Sequence, residues 1–319
     1  MTRLEERFQP RTPAGTDERC CVHLLGRFSV GAGGSLVELA GRKTEELLAY
    51  LLLHRHRPHH REVVAGTLWP ESGTAQSKKY LRQALWNLRS LGTGGRFLQA
   101  QAEWILVDLS RVWLDVAELE EAYEQVRLVP GEQLDAVSAT AIKGVVPHYR
   151  GDLLEGCYQD WCIYERERLK ALYISLLEKL LAYCEACGEP DEGLVYGEQL
   201  LRHEPAHERA HWRLMRLHYL AGDRTGALRQ FERCREALRE GLQTAPGERV
   251  LRLCEQIRAD AVLPALRPGG SPTELPDDTN DGVLQPTESF LEALRALALA
   301  TSLVEEGIRA VRLSTEPRA

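Results

Sequence analysis

The chain has 319 residues, of which 44% are hydrophobic and 27% charged, and a formal net charge of −7. At roughly 100 to 200 residues per domain this length carries two or three folded units, and the apolar fraction excludes a wholly disordered chain. No run of about 18 uncharged apolar residues occurs to cross a membrane, and eight cysteines are too sparse for a disulfide scaffold, so they are read as small apolar side chains.

The charge is unevenly divided. Through Ser110 there are 15 Lys and Arg against 11 Asp and Glu; beyond it there are 25 against 36. A basic module that meets an anion, followed by an acidic scaffold, fits that asymmetry.

Residues 1–19 are polar, with Pro10, Pro13 and Gly15, and are read as a loose tail without a secretory signal, which gives a cytoplasmic expectation. From Cys21 to Val30 alternation and β-branching predict a strand, Gly31 to Gly34 a turn, and Leu36 to Leu39 a returning strand. Leu47, Leu48, Leu51 and Leu52 place a helix over Thr44–Leu53, and Val64, Ala65, Leu68 and Trp69 a second over Arg61–Trp69, before Pro70. A third helix is expected from about Ala75 to Gly92. Its Leu81, Ala84, Leu85, Leu88 and Leu91 recur at three- and four-residue intervals and define one apolar face. Lys78, Lys79, Arg82, Gln83, Trp86 and Arg89 fall on or beside the opposite face. Arg96–Gln99 and Trp104–Val107 are expected to pair as a hairpin. Strands, three helices and a hairpin in this order make a winged helix-turn-helix, whose basic third helix suits the major groove and phosphates of duplex DNA.

Beyond Asp115 the pattern is almost continuous helix, broken at Pro130-Gly131, Pro147, Gly188-Glu189-Pro190, Pro205, Gly222-Asp223 and Pro246-Gly247. Overlaying Leu180, Gly188 and Leu194 on Leu214, Gly222 and Leu228 reveals a 34-residue period, and Trp212, Tyr219, Ala227 and Phe231 resemble a degenerate tetratricopeptide signature. The fold expected is therefore mainly α: a tail over 1–19, a winged helix with a small β-sheet over 20–110, and a tetratricopeptide-like helical domain over 111–264. A Pro- and Gly-rich linker over 265–286 and an amphipathic helix over 287–312 complete it. That last helix, with Phe290, Leu294 and Val304 on its stripe, is assigned to intramolecular or dimer packing.

Several runs resemble the actinobacterial antibiotic regulatory protein (SARP) family of transcriptional activators. Leu24 to Phe28, Gly41-Arg42-Lys43 and Leu68-Trp69-Pro70 come first. Leu81-Arg82-Gln83-Ala84-Leu85-Trp86-Asn87-Leu88-Arg89 and Trp113-Leu114-Asp115-Val116 follow. Tyr149-Arg150-Gly151-Asp152-Leu153-Leu154, Asp160-Trp161 and Glu165-Arg166-Glu167-Arg168-Leu169 resemble the bacterial transcriptional activation domain of that family. The resemblance implies an activator that binds promoter repeats in double-stranded DNA, commonly as a homodimer, and helps recruit RNA polymerase. It places Lys78, Lys79, Arg82, Gln83, Trp86 and Arg89 in the recognition-helix region and Gly95 and Arg96 at the wing.

Arg82 and Gln83 are the first choices for base edges, because Arg pairs bidentately with guanine and Gln with adenine. Lys78, Lys79 and Arg89 are assigned to phosphates. Trp86 is read first as packing support and second as a stack on sugar or backbone. Gly95 is read mainly as turn geometry, and Arg96 divides evenly between phosphate and solvent. Two other readings compete: a helical-repeat adaptor whose winged helix contacts protein, and a metal- or redox-dependent regulator.

Cys184-x-x-Cys187 lacks a redox strand-helix context, and Cys157 with Cys162, like Cys20 with Cys21, makes no four-ligand zinc set. No metal or cofactor is expected, and no Gly-rich phosphate loop, dinucleotide fingerprint or H-E-x-x-H pattern marks an enzyme. His54, His56, His59 and His60 are read as an exposed, partly positive loop near DNA. Tyr149, Asp152 and Trp161 are read as interhelical packing. A small-molecule effector is compatible with the scaffold but cannot be assigned to a pocket.

Overall fold

The computed structural model describes residues 20–32, 35–90 and 97–261. They divide into two compact units: residues up to 125 together with 140–169, and residues 126–139 together with those from 170 onward. The amphipathic stretch 287–312 and the linker before it lie outside the described residues.

In the first unit β1 (Cys20–His23), β2 (Ser29–Ala32) and β3 (Ser35–Val37) form an antiparallel meander. Gly31 pairs with both Cys21 and Leu36, so the predicted turn is shorter than Gly31–Gly34 and the strand signal runs through it. Helices α1 (Arg42–Leu53), α2 (Arg61–Leu68) and α3 (Thr74–Arg89) follow where expected. Leu47, Leu48, Leu51 and Leu52 of α1, Leu68 of α2, and Leu81, Leu85 and Leu88 of α3 are almost fully buried. Each such leucine contributes roughly 2 kcal/mol of burial.

Two strands escape the sequence pattern. β4 (His59–His60) pairs antiparallel with β6 (Trp104–Val107), which also pairs with β5 (Leu98–Ala100). β7 (Val112–Leu114) returns to run parallel to β1, giving the order β3-β2-β1-β7. A two-residue strand has no period to read, and a parallel partner 92 residues away leaves no local turn signal.

Asp115 follows β7 and opens α4 (Asp115–Val126), which is followed in the chain by α5 (Ala136–Val145). Its fully buried carboxylate accepts the backbone N–H of Leu24 at 2.9 Å, of Leu25 at 2.9 Å and of Val116 at 2.8 Å. Burial pushes its pKa up to about 6, against the opposing pull of the Leu25, Leu24 and Val116 amides. The chain beyond Leu25 turns at Gly26, whose φ of +89° suits glycine and whose N–H donates to the Asp152 carbonyl at 3.0 Å. Leu154 N–H donates to the Leu24 carbonyl, and Leu25 bridges Leu153. The Tyr149–Leu154 motif thus fastens the chain that leaves β1, with Tyr149 Oη donating to Asp152 Oδ1 at 3.3 Å. Trp161, near the start of α6 (Asp160–Cys187), meets Tyr50 of α1 edge-on at 5.4 Å and donates from Nε1 to Gln159 at 2.7 Å. Tyr149 is buried and Trp161 packs against α1 as expected, whereas Asp152 is exposed and acts through its carbonyl and the Tyr149 hydroxyl.

In the second unit the remainder of α6 is followed by α7 (Pro190–His203), α8 (Glu208–Leu220), α9 (Arg224–Leu242) and α10 (Glu248–Arg258). The 34-residue period has a structural cause: Gly188 and Gly222 occupy the corresponding inter-helix turns with φ of +72° and +80°. His207 and Asp223 cap α8 and α9 by accepting the amides of Ala210 and Gly226. Phe231, Cys234, Leu238, Val250, Leu253 and Ile257 form the core between α9 and α10.

One carboxylate here is buried as a charge. Glu185 of α6 pairs with Arg213 and, at 2.5 Å, with Arg216, both on α8; Arg213 also pairs with Glu132. Burial works against the Arg213 cation, but Glu185 and Glu132 hold its pKa above the ordinary value.

Replacing Asp115 by Ala orphans three buried amides at about 1–3 kcal/mol each. The expected result is a loss of about 3 kcal/mol or more in urea denaturation, with Asp115→Asn intermediate because one acceptor oxygen remains. Glu185→Ala removes the buried carboxylate shared by Arg216 and by Arg213, which keeps Glu132, and is expected to cost roughly 3–5 kcal/mol, whereas Glu185→Gln should cost less. Equal stability of Glu185→Ala and the parent chain would show that the pair is not holding α6 to α8.

Candidate nucleic-acid interface

The third helix separates two chemistries. Leu81, Ala84, Leu85 and Leu88 are buried, while Lys79, Arg82, Gln83, Trp86 and Arg89 are exposed and Lys78 is half-buried. The 3.6-residue period that drives the leucines inward therefore turns the basic set outward. Leu91, Gly95 and Arg96 lie outside the described residues.

Individual side chains differ in how free they are. Lys79 and Arg82 have no carboxylate partner among the described residues. Lys78 pairs with Glu62 of α2. Gln83 donates to Asn87 at 3.1 Å, and Asn87 in turn approaches Thr44 at 3.4 Å, which fixes the carboxamide beside Arg82. Arg89 donates to the Ala100 carbonyl at 3.1 Å, tying the helix end to the β5–β6 hairpin. Trp86 is 65% exposed, so the packing role read first from the sequence is not the one it fills.

A cleft of about 680 Å³ opens beside α3, lined by Arg61, Glu62, Lys78, Arg82 and Glu103 among others. Arg61 was not selected by the sequence pattern. It starts α2, donates from its amide to the Glu103 carbonyl at 2.9 Å and from its guanidinium to the Gln101 carbonyl at 3.2 Å. Only the fold of the hairpin brings it beside α3, so no spacing rule finds it.

The histidine cluster corrects the sequence reading. His56 alone is exposed; His59 is 4% exposed within β4, and His54 is half-buried. Burial, with the charge of Arg57, lowers both His54 and His59 to about 4, so they are neutral and apolar in effect at neutral pH. His60 caps α2 by accepting the Glu62 amide at 3.3 Å.

The eight cysteines are free, and all but Cys187 are buried. Cys184, Glu189 and Glu192 bring ligand-type atoms within 4.8 Å of one another. One thiolate with two carboxylates departs from the Cys and His sets that hold structural zinc. Among the described residues no helix is long and apolar enough to cross a membrane.

A winged helix with an outward basic recognition helix, joined to tetratricopeptide-like helices, defines a DNA-binding transcription regulator. Residues 114–258 match the family model of the bacterial transcriptional activator domain. Its general function is that of a DNA-binding transcriptional activator. Among solved structures, the chain is similar to Mycobacterium tuberculosis EmbR, determined in complex with a low affinity phosphopeptide. The identity is 21%, over 78% of this chain and 67% of that one, with a TM-score of 0.62, a likeness of fold. No curated protein matches.

The neutral histidines set a pH dependence. An ordinary histidine titrates near 6.5, and His59 folded titrates near 4, so the unfolded chain binds more protons between these values. Stability is therefore complete above about pH 6.5 and declines as the pH falls toward 4, by roughly 2 kcal/mol for one such group at pH 5. His54 and His23, also lowered to about 4, act in the same direction. Asp115, raised to about 6, opposes them between about 3.8 and 6. His59→Gln should be less stable than the parent at pH 7 and lose less between pH 7 and pH 5. Parallel urea-denaturation curves for the two chains across that range would refute the assignment.

Proposed function

We propose that α3 enters the major groove of promoter DNA with Arg82 and Gln83 toward base edges and Lys78, Lys79 and Arg89 toward phosphates. Trp86 then lies against sugar and backbone, and Gly95 and Arg96 belong to the wing that follows the helix. The observation that carries this reading is the outward display of Lys79, Arg82, Gln83, Trp86 and Arg89 behind which Leu81, Leu85 and Leu88 are buried. Lys78 would exchange Glu62 for a phosphate, a modest cost for a partly exposed ion pair.

Two copies bind neighbouring promoter repeats, so that two moderate contacts act at high effective concentration. The acidic helical domain is the surface offered to RNA polymerase, and the amphipathic stretch 287–312 is assigned to packing within or between protomers.

Recovery of bound genomic fragments followed by salt-controlled competition tests the reading. Arg82→Ala is expected to weaken the recovered site about 10- to 100-fold and to relax sequence preference, as loss of a bidentate base contact worth about 1–3 kcal/mol implies. Lys79→Ala should weaken all duplexes alike and reduce the salt slope by about one. Retention of specific protection by the double variant would exclude this face as the reader.

A further inference from the structure

We propose that Arg61 and Arg89, both held by the tip of the β5–β6 hairpin, form a notch that grips one backbone phosphate of duplex DNA, with the Arg82 charge at its border. The proposal rests on the DNA-binding reading above and adds to it a residue on α2 and a role for the hairpin.

Arg61 and Arg82 line the cleft beside α3, and the Arg89 charge lies close enough to act on Arg61. None of Arg61, Arg82 and Arg89 has a carboxylate partner among the described residues. Burial, and then the charges of Arg89 and Arg82, lower the pKa of Arg61, the signature of like charges gathered without a counterion. The two carboxylates of the cleft do not relieve it: Glu62 is engaged by Lys78, and Glu103 is on an exposed residue of the hairpin. Like charges held together in a partly desolvated site are balanced by an anion from outside.

The hairpin fixes the geometry of the grip. Gln101 and Ala100 are neighbours at its tip, and their carbonyls accept one guanidinium N–H each, from Arg61 at 3.2 Å and from Arg89 at 3.1 Å. A guanidinium has five donors in a rigid fork, so each arginine keeps donors for a tetrahedral oxyanion after this bond is made. Two forks anchored at adjacent carbonyls lose little rotamer freedom on binding, which is the advantage of preorganisation. A phosphodiester supplies the charge and the two free oxygens; a free phosphate has the same chemistry, and the test separates the two.

The experiment is fluorescence anisotropy of the full chain against a labelled duplex of mixed sequence over a series of chloride concentrations, repeated on a duplex recovered by genomic selection. Arg61→Ala is expected to weaken both duplexes by the same factor, about 5- to 10-fold at low salt, and to lower the slope of log K against log salt by about one. Arg61→Lys should restore the slope but not the full affinity. Circular dichroism of each variant checks that it is folded, and Arg61→Gln serves as the neutral variant if Arg61→Ala unfolds. An unchanged slope in a folded neutral variant overturns the notch while leaving the promoter-reading face intact. Loss of discrimination between the duplexes in Arg61→Ala overturns a phosphate role in favour of base contact. Competition by inorganic phosphate beyond that of chloride at equal ionic strength overturns the backbone assignment in favour of a free anion. Failure of the parent chain to bind either duplex removes the DNA-binding reading itself.

Discussion

A single carboxylate organises the first unit. Asp115 lies in a site with no solvent, and a charge there is tolerated because backbone amides from Leu24, Leu25 and Val116 surround it. Those amides belong to the end of β1 and the start of α4, so one side chain fastens the returning strand β7 to the first strand of the sheet. The turn at Gly26 and the hydrogen bonds from Gly26 and Leu154 follow from that alignment. Within the same unit α1, α2 and α3 pack on one another through a shared leucine core that sets the orientation of α3.

The recognition helix shows why some function is legible before a fold is known. Leu81, Leu85 and Leu88 must face inward, and the helical period then leaves Arg82, Gln83 and Trp86 outward with no further information. The repeat domain is legible for a related reason, since Gly188 and Gly222 mark turns that require a left-handed backbone and recur at the repeat interval. What escaped depends on partners distant in the chain. β4 and β7 are short and pair across long separations, His59 is buried by a strand it alone could not announce, and Arg61 joins the basic cleft only when the hairpin folds back on α2. Trp86 departs from the packing role usual for an aromatic side chain because its neighbours on the helix face are all polar.

The second unit solves a different problem. Glu185 sits where the interface of α6 and α8 would ordinarily be filled by apolar side chains, and it is neutralised by Arg213 and Arg216. A buried triad of this kind adds little net stability over a well-packed apolar one, yet it tolerates no vacancy, since any unmatched charge is severely penalised. It therefore favours one register of α8 against α6 over sliding alternatives.

The parallel pairing of β1 with β7 has a consequence for biosynthesis. An emerging chain exposes its N-terminal strand well before the ribosome has released Asp115 and Leu154, the residues that complete its edge. Contacts so far apart along the chain are slow to form, and the loop between them must be closed first. The winged module is thus finished only when the opening stretch of the following domain has been translated, so a truncated nascent chain is denied a completed DNA reader until its effector portion has begun to appear.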